Sequence, residues 1–259
     1  QYYRSRFGHV DYAYVCAKDV YDGGWASFIV CKKGEGWKIF LGAKRAVRLA
    51  AKNKCVNPPI LEEGILDDIL ANTIQILKNS KEIKRYGTKV RRGLLFDGPP
   101  GNGKTMACRY IQNYCVREGI SVGIVTSAEI NTAYGENKLE QLFCRWEVTF
   151  FDDIDIAYLD RKSGDGKMAC ALLTAMDGVI EHDQLIRIFT TNEKVDSMDP
   201  AFIRPGRIDR SITFEKPTAN LRRQLVETWP QELRDNIDVP ELIKASKDFS
   251  FAEVEAVRS

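Results

Sequence analysis

Only two histidines occur in 259 residues, and none of the seven cysteines (Cys16, Cys31, Cys55, Cys108, Cys115, Cys144, Cys170) falls in a CxxC pair. A structural zinc centre is not expected from so thin a ligand set. There is no HExxH either, so these residues carry no zinc protease of that type. An odd set of cysteines scattered through apolar stretches fits the cytoplasm or another reducing compartment better than a disulfide framework. No apolar run approaches the roughly 18 residues of a membrane-spanning helix. Neither sign of charge dominates: 38 basic and 36 acidic residues leave a net +2, which by itself argues for neither nucleic acid nor an anionic membrane. The chain starts at Gln1 and ends in a charged helical pattern, as expected of a fragment or a processed product. Membrane attachment through a segment outside these residues stays open.

What is present is ample for a core: 44% of the residues are hydrophobic, and the length suggests about two domains. Residues 1–57 differ from the rest. Short aromatic and β-branched runs cut by "DGG" and "KGEG" predict a small β-rich domain, followed by a basic helix over about 43–53. Its aromatics serve either a sheet core or a recognition surface. "NPPILEEG" marks a boundary. Beyond it, Ile65, Ile69, Ile76 and Ile83 with Leu66, Leu70 and Leu77 give a broad apolar helical stripe over about 62–85.

From Gly93 short apolar runs alternate with helical patterns. "GLLFD", "SVGIVT", "EVTFFD", "LIRIFTT" and "SITFE" are expected strands, with helices over about 103–118, 137–144 and 165–176. That alternation predicts an α/β fold with a mainly parallel sheet covered by helices on both faces. We assign residues 58–217 to this domain and residues 218–259 to a partial, helical lid domain.

"GPPGNGKT", residues 98–105, satisfies GxxxxGKT, follows the apolar run "LLF" and opens a helix, the context in which this motif is trustworthy. Glycines let successive N–H groups curl around phosphate oxygens, and the helix N-terminus adds its dipole. Lys104 is expected to reach the β- and γ-phosphates and Thr105 to give its hydroxyl to Mg²⁺. The expected nucleotide-binding set is Gly98, Pro99, Pro100, Gly101, Asn102, Gly103, Lys104, Thr105 and Met106, completed by Asp152.

Such a loop needs a second Mg²⁺ anchor at a neighbouring strand end, and "VTFFDD" offers one. Asp152 is read as the metal anchor beside Thr105, Asp153 as the residue facing the attacking water, and Asp155 as a cap or local pair. A calcium reading fails for lack of EF-hand spacing.

Taken together, "RRGLLFDGPPGNGKT", "FFDDID", "ALLTAMDG" and "IFTTNEKVDSMDPAFIRPGRIDRSITF" resemble the AAA family of ATPases, specifically its classical clade, over roughly Pro59 to Arg258. The resemblance implies a P-loop NTPase fold, ATP and Mg²⁺ as cofactors, and an oligomeric ring, typically a hexamer. It implies that Asn192 is sensor 1 and that Arg204 and Arg207 are arginine fingers acting on a neighbouring subunit's nucleotide. A guanidinium delivered there stabilises charge spread over the transferring phosphoryl oxygens.

Three departures bear on that picture. The family usually has glutamate where Asp153 stands, one methylene longer, and a catalytic group misplaced by about 1 Å can cost a hundredfold in rate. The segment "SAEINTAYGENKLEQLFCRW" is short for an unfoldase, so Tyr134 is either a pore-loop aromatic or an ordinary loop residue. At the start of the sensor 2 helix the family often has "GA", where this chain has Phe251 and Ala252. A narrower resemblance, through "YGTKVRRGLLFDGPPGNGKT", links the chain to the divergent branch containing the mitochondrial inner-membrane translocase that assembles the respiratory cytochrome complex. That branch departs from the aspartate–glutamate order and carries folded cargo.

The expected function is an ATP-hydrolysing ring motor that remodels or translocates protein. Two alternatives stay open. One is a nucleotide-gated scaffold with slow or no hydrolysis. The other is a nucleic-acid motor using the basic patches at 43–54 and 89–92, whose binding would fall steeply with salt.

Overall fold

The computed structural model describes the backbone of residues 2–7, 10–18, 25–31 and 184, and both backbone and side chains of 56–88, 90–154, 166–178, 185–193, 195 and 198–258. The basic helix expected over 43–53, the patch containing it, Lys89 and Asp155 lie outside the described residues. Two compact units are present, residues 1–55 with 116–119, and residues 56–115 with 120–259.

In the first unit, β1 (Tyr2–Phe7), β2 (Val10–Lys18) and β3 (Trp25–Cys31) form an antiparallel meander. Their register runs from Tyr2 opposite Val15 to Phe7 opposite Val10, and from Tyr12 opposite Cys31 to Lys18 opposite Trp25.

The second unit opens with α1 (Ile65–Asn72), α2 (Ile74–Lys78) and α3 (Ser80–Arg85). The apolar stripe expected over 62–85 is thus broken into three short helices. Thr73 interrupts it: its backbone leaves helical geometry, and its hydroxyl donates to the Ile69 carbonyl at 2.6 Å, the competition with the backbone ladder typical of threonine.

All five expected strands form: β4 (Val90–Asp97), β5 (Val122–Val125), β6 (Val148–Phe151), β7 (Gln184–Thr190) and β8 (Arg210–Thr213). They make one parallel sheet in the order β5-β6-β7-β4-β8. Alternation along each strand feeds two cores. Leu95, Val125, Phe151 and Phe189 pack on α6 (Leu139–Phe143) and α7 (Lys167–Asp177). Leu94, Phe96, Phe150, Ile188 and Ile212 pack on α4 (Lys104–Glu118) and on α1. Phe151 lies between Phe143 and Phe189, with ring centroids at 4.5 and 4.8 Å. Each such side chain contributes roughly 1.5–3 kcal/mol by leaving water. This is the parallel sheet buried on both faces expected of a P-loop NTPase.

The strand order places β7 between the phosphate-loop strand β4 and the acidic strand β6. Residues ending these three strands therefore share one crevice at the carboxyl edge of the sheet, where ligands bind in open α/β sheets. The helical tail, α8 (Ala219–Glu227), α9 (Gln231–Arg234), α10 (Val239–Ala245) and α11 (Phe251–Ala256), closes around a small core of Val226, Trp229, Ile243 and Val254.

Candidate active site

The loop between β4 and α4 turns on glycines in backbone conformations that side chains rarely adopt, with φ +124° at Gly98 and +79° at Gly101. Both are also tightly approached. A Cβ on Gly98 would stand 2.4 Å from the Phe214 carbonyl oxygen, and one on Gly101 2.9 Å from Cβ of Ala252. Beneath the loop, the buried carboxylate of Asp97 accepts from the hydroxyls of Ser211 at 2.8 Å and Thr213 at 3.2 Å.

Beside the loop lies a cavity of about 860 Å³. It is lined by Pro100 to Met106, Asp152, Asp153, Thr190 and Asn192, together with Val56 to Ile60, Leu225, Thr228, Phe251, Ala252 and Glu255. Gly98 and Pro99 sit at its base, their carbonyls accepting from Lys104 Nζ. The same ammonium donates to Asn192 Oδ1 at 3.0 Å. Burial pulls the Lys104 pKa below its ordinary value, against the opposing pull of Asp153, Asp97 and Asp152.

The acids occupy the turn after β6. Asp152 Oδ1 accepts from the Thr190 hydroxyl at 3.0 Å. Asp153 has φ +50°; its N–H donates to Thr190 Oγ1 at 2.8 Å, and its Oδ1 accepts from Asn192 Nδ2 at 2.7 Å. Lys104, Asn192 and Asp153 therefore form one hydrogen-bonded chain. The acid bonded to Asn192 thus sits on a left-handed backbone, a region where aspartate and asparagine are enriched among non-glycine residues.

The cradle fits a nucleoside triphosphate with Mg²⁺. Its glycine-shaped backbone and one buried ammonium suit phosphates, and the oxygens of Thr105 and Asp152 are the hard donors that Mg²⁺ takes. Of the anticipated nucleotide set, Pro100 to Met106 and Asp152 line this cavity together with Asp153 and Asn192, whereas Gly98 and Pro99 do not.

Neither Arg204 nor Arg207 lines the cavity. Arg207 is held by its own chain: Nε donates to Asp177 Oδ1 at 2.7 Å, Nη2 to Asp177 Oδ2, and Nη1 to the Ala201 carbonyl at 2.6 Å. The hydrogen bond from Arg207 holds the Asp177 carboxyl below its usual range. Arg204 is exposed, and its guanidinium forms no ion pair among the described residues. A further arginine, Arg187, lies buried in β7, donates to the Met176 carbonyl at 2.9 Å and covers the Phe143 ring at 5.4 Å.

The helical tail meets the loop through Ala252, whose N–H donates to the Gly101 carbonyl at 3.1 Å. A capping box of Ser250 and Glu253 fixes this end of α11. Phe251, which stands with Ala252 where the family often has "GA", lines the cavity. Tyr134, near the end of α5 (Ser127–Gly135), is half-buried against the core, a placement that does not favour a pore-loop role. Arg92 is tied to Asn72 Oδ1 at 2.7 Å, so "KVRR" is not a run of uncommitted cations.

Thr190, Asp97 and Asp177 are the site residues that residue-type reasoning missed. Asp177 stands inside the quoted "ALLTAMDG"; nothing local in the sequence distinguishes Thr190.

Comparison with known proteins agrees with this geometry. The family model described as "ATPase family associated with various cellular activities (AAA)" matches residues 94–216. An ATP-dependent zinc metalloprotease FtsH from Mesomycoplasma conjunctivae is 28% identical over 251 residues, covering 91% of this chain and 33% of that protein. FtsH 2 from Salinibacter ruber is 31% identical over 200 residues, 72% of this chain and 29% of the relative. FtsH from Halothermothrix orenii is 27% identical over 261 residues, 94% and 41% respectively. The chain thus spans about a third of the length of these relatives. Among the described residues, no helix is long and apolar enough to cross a membrane.

Proposed function

Because the chain contains an ATPase domain of the AAA family, related to FtsH-type motors, we propose that it acts as one subunit of an ATP-driven ring, typically hexameric, that remodels or translocates protein. In this reading Lys104 leaves the loop carbonyls for the β- and γ-phosphates, and Thr105 and Asp152 hold Mg²⁺. The ion, when bound, neutralises charge on the phosphate oxygens. Asp153 takes the proton of the attacking water, and Asn192, already bonded to it, orients that water.

The observation that carries the ring is the separation of Arg204 from its own cavity. Lys104, Thr105, Asp152, Asp153 and Asn192 line that cavity, whereas Arg204 and Arg207 do not. Arg204 stands outside, exposed, available to a neighbour's phosphates. Arg207, locked by Asp177, supports it as a second finger or as the brace of its loop. The three-part organisation (1–57, 58–217, 218–259) belongs to the same proposal.

Phosphate release and subunit number, measured with and without a non-hydrolysable ATP analogue, test it. A nucleotide-dependent ring is expected, with turnover lost in Lys104→Ala and in Arg204→Ala. A monomer at all nucleotide concentrations, or full turnover in Arg204→Ala, overturns the ring. Ring formation with no release above the Lys104→Ala control leaves the scaffold reading. Turnover stimulated by DNA or RNA in a salt-sensitive manner points to the nucleic-acid motor.

A further inference from the structure

Thr190 ends β7 and is 3% exposed. Three consecutive residues of the acidic turn depend on it. Its hydroxyl donates to Asp152 Oδ1 at 3.0 Å and accepts the Asp153 N–H at 2.8 Å. Its carbonyl accepts the Ile154 N–H at 2.8 Å. A hydroxyl has one hydrogen and two lone pairs, so donation to Asp152 fixes the rotamer that leaves a lone pair for Asp153. The first bond sets the rotation of the Asp152 carboxylate and leaves its second oxygen for other partners. The second bond holds Asp153 in its left-handed conformation (φ +50°), which turns the carboxylate to Asn192.

We propose that Thr190 is the positioning residue of the Mg²⁺–nucleotide site, setting the metal-facing carboxylate of Asp152 and the backbone of Asp153 through a single hydroxyl. The inference rests on the ATPase reading of the cavity and adds a residue to it. It also accounts for aspartate at 153: a turn pinned at its N–H by a strand-end hydroxyl favours the residue type that tolerates positive φ.

The test uses the full chain and its Thr190→Val, Thr190→Ser and Thr190→Ala variants. Binding of a fluorescent non-hydrolysable ATP analogue is titrated against Mg²⁺ and repeated in EDTA, with phosphate release and thermal melts alongside. Loss of a partner that orients a metal-bound carboxylate typically costs about 10- to 100-fold in metal affinity or activity. Thr190→Val is accordingly expected to raise the Mg²⁺ needed for half-maximal binding about tenfold or more and to lower kcat. Affinity in EDTA should not change. Thr190→Ser should restore both properties, because it restores the hydroxyl. Thr190→Ala, which leaves room for a water, should fall between them and serves if the valine variant does not fold. A valine or alanine variant with wild-type Mg²⁺ dependence overturns the proposal, as does a serine variant as impaired as valine. A wild-type chain that binds the analogue no better with Mg²⁺ overturns the metal-site reading, and the proposal with it.

Discussion

The phosphate loop and the acidic turn line one cavity and meet the same demand, a backbone bent out of the ordinary region, by different means. The loop uses glycines, which adopt positive φ at no steric cost. The turn keeps a side chain there, one that bonds Asn192, and secures it with a hydroxyl from the adjacent strand. A glycine loop is self-sufficient and can be recognised wherever it occurs. A pinned aspartate depends on a partner 37 residues away in the chain.

That contrast can be broken most severely at the loop. Gly98→Ala adds a Cβ 2.4 Å from the Phe214 carbonyl oxygen at φ +124°. The combined strain and overlap should cost about 3 kcal/mol or more, seen as a large drop in melting temperature together with lost nucleotide binding. The turn should respond differently. Asp153→Asn keeps a residue suited to positive φ, so melting should be nearly unchanged while phosphate release falls about a hundredfold or more for want of a base. Asp153→Glu restores a strong base but places an ordinary side chain in the left-handed region, at a cost of about 1 kcal/mol. It should be less stable and slower than wild type. A faster glutamate variant would show that the hydroxyl clamp does not govern the choice of acid.

Smaller effects separate the two arginines. Arg207→Ala removes a bidentate contact to a largely exposed acid and a bond to the Ala201 carbonyl, so stability should fall by about 1 kcal/mol. Arg204→Ala should leave the melting temperature alone and act only on turnover. The smallest effect is in pH. Asp177 has its folded pKa lowered by Arg207. Its contribution is therefore present above the unfolded carboxylate value, about 4, and lost as pH falls through the folded one. The stability difference between wild type and Asp177→Asn should shrink over that acid interval in thermal melts.

Much of the sheet was legible because parallel strands buried on both faces need continuous apolar runs, as in "VTFF" and "GLLF". The phosphate loop was legible because its chemistry is local. Thr73 hid the break in the first helical stripe, since threonine competes for a carbonyl only once the helix has formed. Arg187 passed as one residue of an apolar strand; its burial depends on the end of α7 and the Phe143 ring. Side-chain length was all the sequence offered at Asp153; its left-handed backbone and its bonds to Asn192 and Thr190 come from residues remote in the chain. The Asp177–Arg207 pair spans 30 residues, and no spacing rule connects them.

The hydrogen bond from Ala252 to Gly101 joins the helical tail to the one segment whose shape must answer to phosphate. Thermodynamic linkage then runs both ways. If nucleotide changes the free energy of seating the tail on the loop, then seating or unseating the tail changes nucleotide affinity by the same factor. A mechanical load on α11 is then equivalent to a change in ATP concentration.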